Sequence, residues 1–73
     1  MMQTLSEVIT VSPDIMHGEP VFTGTRVPIK SVFEYLKGGE TIDDFLDGFP
    51  SVSREQVTQL LDLMTANIIA AAA

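Results

Sequence analysis

The sequence contains no cysteine, which removes disulfides and thiolate metal sites together. Histidine occurs once, at position 17, with no cluster of metal ligands beside it. Two usual staples of small folds are therefore missing, and no metal or cofactor is expected. Basic residues are scarce: four Lys and Arg stand against ten Asp and Glu, a net charge of −6. An acidic surface repels phosphate, so general nucleic-acid affinity should be poor and a basic partner more natural. Taken alone, the same charge also serves plain solubility. Long apolar runs are absent too. The terminal block "IIAAAA" is far too short to span a bilayer, and "MMQTLSEVIT" has neither the basic residues nor the apolar run of a leader. These absences predict no membrane partner and a cytoplasmic location. With no phosphate loop and no nucleophile beside a base, no catalytic site assembles, and an enzyme is not expected.

What is present is a short, fairly apolar chain. Its 73 residues fit one small domain, and apolar residues make up 45% of them. A domain of this size buries only about 60% of its unfolded surface, so its own core should be marginal. Oligomerisation is the staple that remains, and a homodimer is expected.

The pattern along the chain starts β and ends α. Residues 1–7 read as polar and loose. "VITV", Val8–Val11, is rich in β-branched residues and reads as a short strand. Turn formers fill "SPDIMHGEP", and "VFT", Val21–Thr23, reads as a second extended piece. Two strands alone are unstable in water, so this arm must rest on something, and a neighbouring molecule is the expected support. From Val27 the period becomes helical: Ile29, Val32, Phe33 and Leu36 share one face. Gly38 is the expected left-handed stop. Thr41 opens a second helix with Asp44 completing a capping box, its apolar face being Ile42, Phe45, Leu46 and Phe49, with Gly48 and Pro50 ending it. Ser53 and Gln56 form a second box before a third helix, whose stripe is Val57, Leu60, Leu61, Met64 and Ile68. The expected fold is mainly α: three helices after a short N-terminal β arm, with helices 42–49 and 54–68 forming a helix-turn-helix pair. The domain spans 8–68, followed by an alanine-rich tail, 69–73, readable as a fraying helix end or as a surface that a partner covers.

The densest local code is "GEPVFTGTRVPI", Gly18–Ile29. Gly24 can supply a positive φ between strand and helix, Thr25 can bond nearby backbone, and Pro28 suits a helical first turn. Arg26 is expected to fork onto an internal carboxylate or onto carbonyls and hold the arm against the helices. Gly24, Thr25, Arg26 and Pro28 thus form a predicted structural hinge. The functional alternative is that Arg26 grips phosphate or an acidic partner. His17 reads as a turn-stabilising hydrogen bonder rather than a general base. Asp43, Asp44 and Asp47 fit a helix N-terminus on dipole grounds better than a metal site. Lys30, Glu34 and Lys37 share a solvated face on which the glutamate offsets the lysines. On the third helix Arg54, Gln56, Thr58 and Gln59 are the candidate DNA-facing residues. Glu55 and Asp62 oppose that role, so DNA binding by this chain alone should be weak.

The ordered set His17-Gly18-Glu19-Pro20, Gly24-Thr25-Arg26-Val27-Pro28, Gly39, Phe49-Pro50 and Ser53 resembles the bacterial domain-of-unknown-function family numbered 433, over about residues 8–64. The resemblance implies a homeodomain-like three-helix bundle with an N-terminal β extension, often dimeric. It also implies an antitoxin role beside a PIN-like nuclease toxin. The apolar end "NIIAAAA" departs from the more polar family tail. A helix-turn-helix DNA-binding regulator, acting as an autorepressor, is the alternative function.

Overall fold

A computed structural model describes residues 3–4 and 7–72. Three short strands, β1 (Gln3–Thr4), β2 (Ile9–Val11) and β3 (Val21–Phe22), precede three helices, α1 (Lys30–Lys37), α2 (Ile42–Gly48) and α3 (Arg54–Ala72). The strands form an antiparallel sheet in the order β1-β2-β3. Gln3 faces Val11 and Thr4 faces Thr10, while Ile9 faces Phe22 and Thr10 faces Val21. The loose N-terminus expected from polarity is corrected at Gln3–Thr4, whose backbone joins the ladder; the rest of that segment, up to Ser6, lies outside the described residues. Two residues carry no readable alternation, so nothing in the sequence flags this strand.

Between β2 and β3 the chain makes a left-handed turn. Met16, His17 and Gly18 have φ values of 50°, 56° and 87°. Gly18 N–H donates to the Ile15 carbonyl at 3.1 Å and Glu19 N–H to the Met16 carbonyl at 3.0 Å. Glycine takes such φ freely, whereas Met16 and His17 hold them at a cost. His17 is exposed, and its imidazole has no hydrogen-bond partner among the described residues. Its expected hydrogen-bonding role is therefore corrected: the turn is held by backbone.

Helix α1 buries Val32, and Ile29 just before it is buried as well, whereas Leu36 stays exposed. Gly38 has φ −80°, and the left-handed stop is Gly39 at φ +85°. Either glycine can supply that conformation. The helix runs one residue further than a stop at Gly38 needs, and Gly39 N–H donates to the Leu36 carbonyl at 3.1 Å. Helix α2 opens on the complete capping box: Asp44 N–H donates to Thr41 Oγ1 at 3.1 Å and Thr41 N–H to Asp44 Oδ2 at 2.9 Å. Ser53 and Gln56 make the matching box on α3, with Gln56 N–H to Ser53 Oγ at 3.1 Å and Ser53 N–H to Gln56 Oε1 at 3.0 Å. Each box satisfies helix-start N–H groups that would otherwise lack partners.

The core joins the arm to the helices of the same chain. Val8 and Phe22 from the arm pack in one cluster with Val32, Phe45, Val57 and Leu60. The Phe45 ring is its hub, with centroids 6.1 Å from Phe22, 5.5 Å from Tyr35 and 4.9 Å from Phe49. Aromatic pairs at such spacings add to the burial they share. The arm thus finds its support within its own chain, which corrects the expectation of shelter on a neighbour. One apolar side of the arm, bent back through Val27 and Ile29, is enough to close the core. Buried Thr10 is satisfied by the Thr23 hydroxyl at 2.8 Å.

Helix α3 outruns that core. Val57 and Leu60 are buried and Leu61 and Leu63 half-buried, whereas every residue from Met64 to Ala72 is exposed. The helix is continuous through the alanines, with no break at the tail boundary.

Candidate functional site

The segment Pro20–Ile29 is a tight fold-back. Phe22 N–H donates to the Val27 carbonyl at 3.0 Å, and Ile29 N–H to the Pro20 carbonyl at 2.9 Å. Val21 and Pro28 bridge between them. At the tip, Thr25 N–H donates to the Phe22 carbonyl at 3.0 Å. That closes a four-residue turn whose third position, Gly24, has φ +80°, as a type II turn requires. The Thr25 hydroxyl is fully used: it donates to the Phe22 carbonyl at 2.8 Å and accepts from Val27 N–H at 3.0 Å. Pro28 sits at the bridge, two residues before α1, and its carbonyl accepts from Ser31 N–H at 3.1 Å to start the helical turn.

Arg26 stands apart from this bonding. It is exposed, and its guanidinium makes no hydrogen bond or ion pair among the described residues. The internal carboxylate expected for it is not there. The ion pairs of the described residues are Lys30 with Glu19, at 3.5 Å, and Arg54 with Asp43, so Lys30 pairs toward the arm and not with Glu34. The tie between arm and helices comes instead from Gln56, whose Nε2 donates to the Thr23 carbonyl at 3.1 Å. With its Oε1 in the Ser53 cap, both ends of that amide are occupied. The sequence marked Gln56 as a cap; its spare donor end was the unread signal.

That geometry engages part of the candidate DNA surface within the protein. Gln56 is half-buried and turned toward the arm, and cannot pair with a base without giving up the tie. Arg54 is held by Asp43. Thr58 and Gln59 are exposed, with Gln59 Nε2 reaching Glu55 Oε1 at 3.4 Å. Glu55 and Asp62 add negative charge on the same helix. On α2, the Thr41 backbone N–H, helped by the Thr41 side chain, holds the Asp44 carboxyl below its ordinary pKa. Asp43 and Asp44 are thus engaged with protein groups, and among the described residues no three of His, Asp and Glu converge as metal ligands.

Besides a shallow cleft lined by Glu7, Val8, Gln59 and Leu63, two open surfaces bear on binding. One is a cleft of about 490 Å³ beside the turn, walled by Ile15 and Val21, with Thr10, Thr23 and Thr25 on its polar side and Gly24 and Arg26 completing it. It offers a cation and hydroxyls as groups a ligand could meet. The other is apolar: a groove of about 250 Å³ lined by Pro20, Ile29, Phe33 and Met64, flanked by Lys30 and Glu19. Met64 also begins the exposed end of α3, where Ile68 and Ile69 are each 65% accessible. Among the described residues no helix is long and apolar enough to cross a membrane.

A protein of Sinorhizobium fredii (strain NBRC 101917 / NGR234), "Uncharacterized protein y4eO", is 39% identical over 51 residues, which make up 70% of this chain and 23% of that protein. The chain therefore matches about a quarter of its relative's length. No solved structure matches. Residues 9–63 match the family described as "Protein of unknown function (DUF433)". That span takes in β2, the fold-back, the cleft and the Gln56 tie, and stops where the exposed end of α3 begins; the chain belongs to the DUF433 family.

Proposed function

We propose that this domain is a protein-interaction module: a homodimeric, cytoplasmic, antitoxin-like chain that binds a PIN-like nuclease toxin and performs no catalysis itself. The observation that carries the reading is the apolar surface running from the Phe33 groove through Met64 to Ile68 and Ile69. Large apolar side chains grouped on one exposed helix end mark a contact surface more than a solvated one. The net charge of −6 suits a basic partner such as a nuclease whose substrate is an anion. The experiment is co-expression with the product of the adjacent gene, tag purification and a growth-rescue assay. Co-purification and rescue, both lost in Ile68→Glu/Ile69→Glu, are the expected result. Recovery of this chain alone, with no rescue, overturns the reading.

A second reading is a homeodomain-like helix-turn-helix regulator that represses its own operon, resting on α2 and α3 joined by the turn at 49–53. The engagement of Arg54 and Gln56 within the protein weighs against it. A gel shift on its own promoter at low and physiological salt, with and without the partner, decides it.

A further inference from the structure

We infer that the cleft beside Gly24 and Arg26 is a carboxylate-binding site, which takes a single Asp or Glu side chain from an extended segment of a protein partner. The first ground is charge. Arg26 carries a guanidinium with no acceptor among the described residues, in a chain with ten acids and four bases. Internal acids are plentiful, and Lys30 and Arg54 are paired with them; Arg26 and Lys37 are not, and of these two only Arg26 lines a cleft. An arginine fork matches a carboxylate through two parallel hydrogen bonds.

The second ground is the set of donors around it. Gly24 and Arg26 both line the cleft, and their backbone N–H groups have no acceptor among the described residues. Thr10 and Thr23 share one hydrogen bond, at 2.8 Å, between two hydroxyls. Whichever hydroxyl accepts keeps its own proton to donate. The turn therefore has donors to spare beside the guanidinium, which an acceptor-only ligand can use. Thr25 adds none, because its hydroxyl is already engaged in both directions.

The third ground selects the class of anion. The lining holds one cation, matched to one monovalent charge, and no second basic residue lines the cleft. A nucleic acid would bring further phosphates toward a chain of net charge −6. Ile15 and Val21 supply an apolar wall that the side chain next to the acid in a peptide would cover. The turn is also held in place: the N–H groups of Thr23 and Thr25, on either side of Gly24, donate to the Val8 and Phe22 carbonyls, and the Thr23 carbonyl is tied to α3 by Gln56. A site on a fixed turn binds with little ordering cost.

The inference rests on the protein-partner reading for the source of the carboxylate, but its test needs no partner. The full chain, labelled with ¹⁵N, is titrated with a capped valine–glutamate–valine tripeptide, with the glutamine counterpart, and with inorganic phosphate at matched ionic strength. Saturable amide shifts centred on Gly24, Thr25, Arg26 and Ile15, given by the glutamate peptide alone, are the expected result. In Arg26→Gln the binding weakens about tenfold, the loss expected for one charge-assisted hydrogen bond; Arg26→Lys recovers only part of it, because an ammonium lacks the fork. Equal shifts with the glutamine peptide or with phosphate, or an undiminished response in a folded Arg26→Gln, overturn the site. Peptide binding without partner capture leaves the site and removes the antitoxin reading. Partner capture without a response to the glutamate peptide does the reverse.

Discussion

The side-chain amide of Gln56, on the first turn of α3, donates to the carbonyl of Thr23 at 3.1 Å, across 33 residues of sequence. One side chain thus both starts a helix and holds the β arm. Gln56→Ala should lower stability by about 1–2 kcal/mol through loss of cap and tie together. Gln56→Glu keeps the acceptor for Ser53 N–H and loses the donor to Thr23. Its cost should be smaller, while exchange of the Thr23 amide, which donates to the Val8 carbonyl at 2.9 Å, should speed up in both variants. Urea denaturation and hydrogen exchange read the two effects separately; unchanged exchange at Thr23 in both would show that the tie does not hold the arm.

Asp44 makes a low-pH prediction. Its folded pKa is depressed, chiefly by the Thr41 backbone N–H. A depressed carboxyl contributes stability that is fully present above its unfolded value, about 3.9, and is lost as pH falls through the lower folded value. Wild type should therefore exceed Asp44→Asn in stability by a constant margin from neutral pH down to about 4. Below that the margin should shrink. Thermal melts at stepped pH check it, and a margin that grows on acidification would contradict the cap's electrostatic role.

Gly48 and Tyr35 are predicted to be coupled. A Cβ placed on Gly48 would sit 2.9 Å from the Tyr35 hydroxyl oxygen. The ring cannot move freely, because it packs edge-on against Phe45 and Phe49 at 5.5 and 5.8 Å. Gly48→Ala alone should thus be neutral or destabilising, despite a helix-propensity gain of up to about 1 kcal/mol. In a Tyr35→Phe background the same change should stabilise by about 0.5–1 kcal/mol. Chemical denaturation of the four proteins of the cycle tests this, and additivity would reject it.

The left-handed turn should be improvable. His17 holds φ 56° with no side-chain bond to offset it. His17→Gly should raise stability by about 0.5–1 kcal/mol, the left-handed cost exceeding the extra chain entropy. The midpoint of urea unfolding, at unchanged slope, is the readout.

The helices and their starts were legible because their signals are local. Thr41 with Asp44 and Ser53 with Gln56 lie three residues apart, and helical geometry alone brings such pairs into contact. The apolar faces of α1 and α2 followed from period in the same way, down to Phe45 at the hub, except that Leu36 of the α1 face is exposed. Two of the differences are local. Choosing Gly38 over Gly39 as the left-handed stop was a one-residue error between two equally able glycines. The two-residue strand Gln3–Thr4 was too short to carry a pattern.

By itself, then, the sequence determined a mainly helical single unit with a β arm, its caps, its turn at Gly24 and its acidic charge, since each depends on residues within a few positions of one another. Only the tertiary structure decided where the arm rests, that Gln56 and not Arg26 ties it down, and that α3 extends past the core it covers. Those outcomes depend on which side chains meet across tens of residues, and that is set by packing around Phe45, which no local spacing encodes.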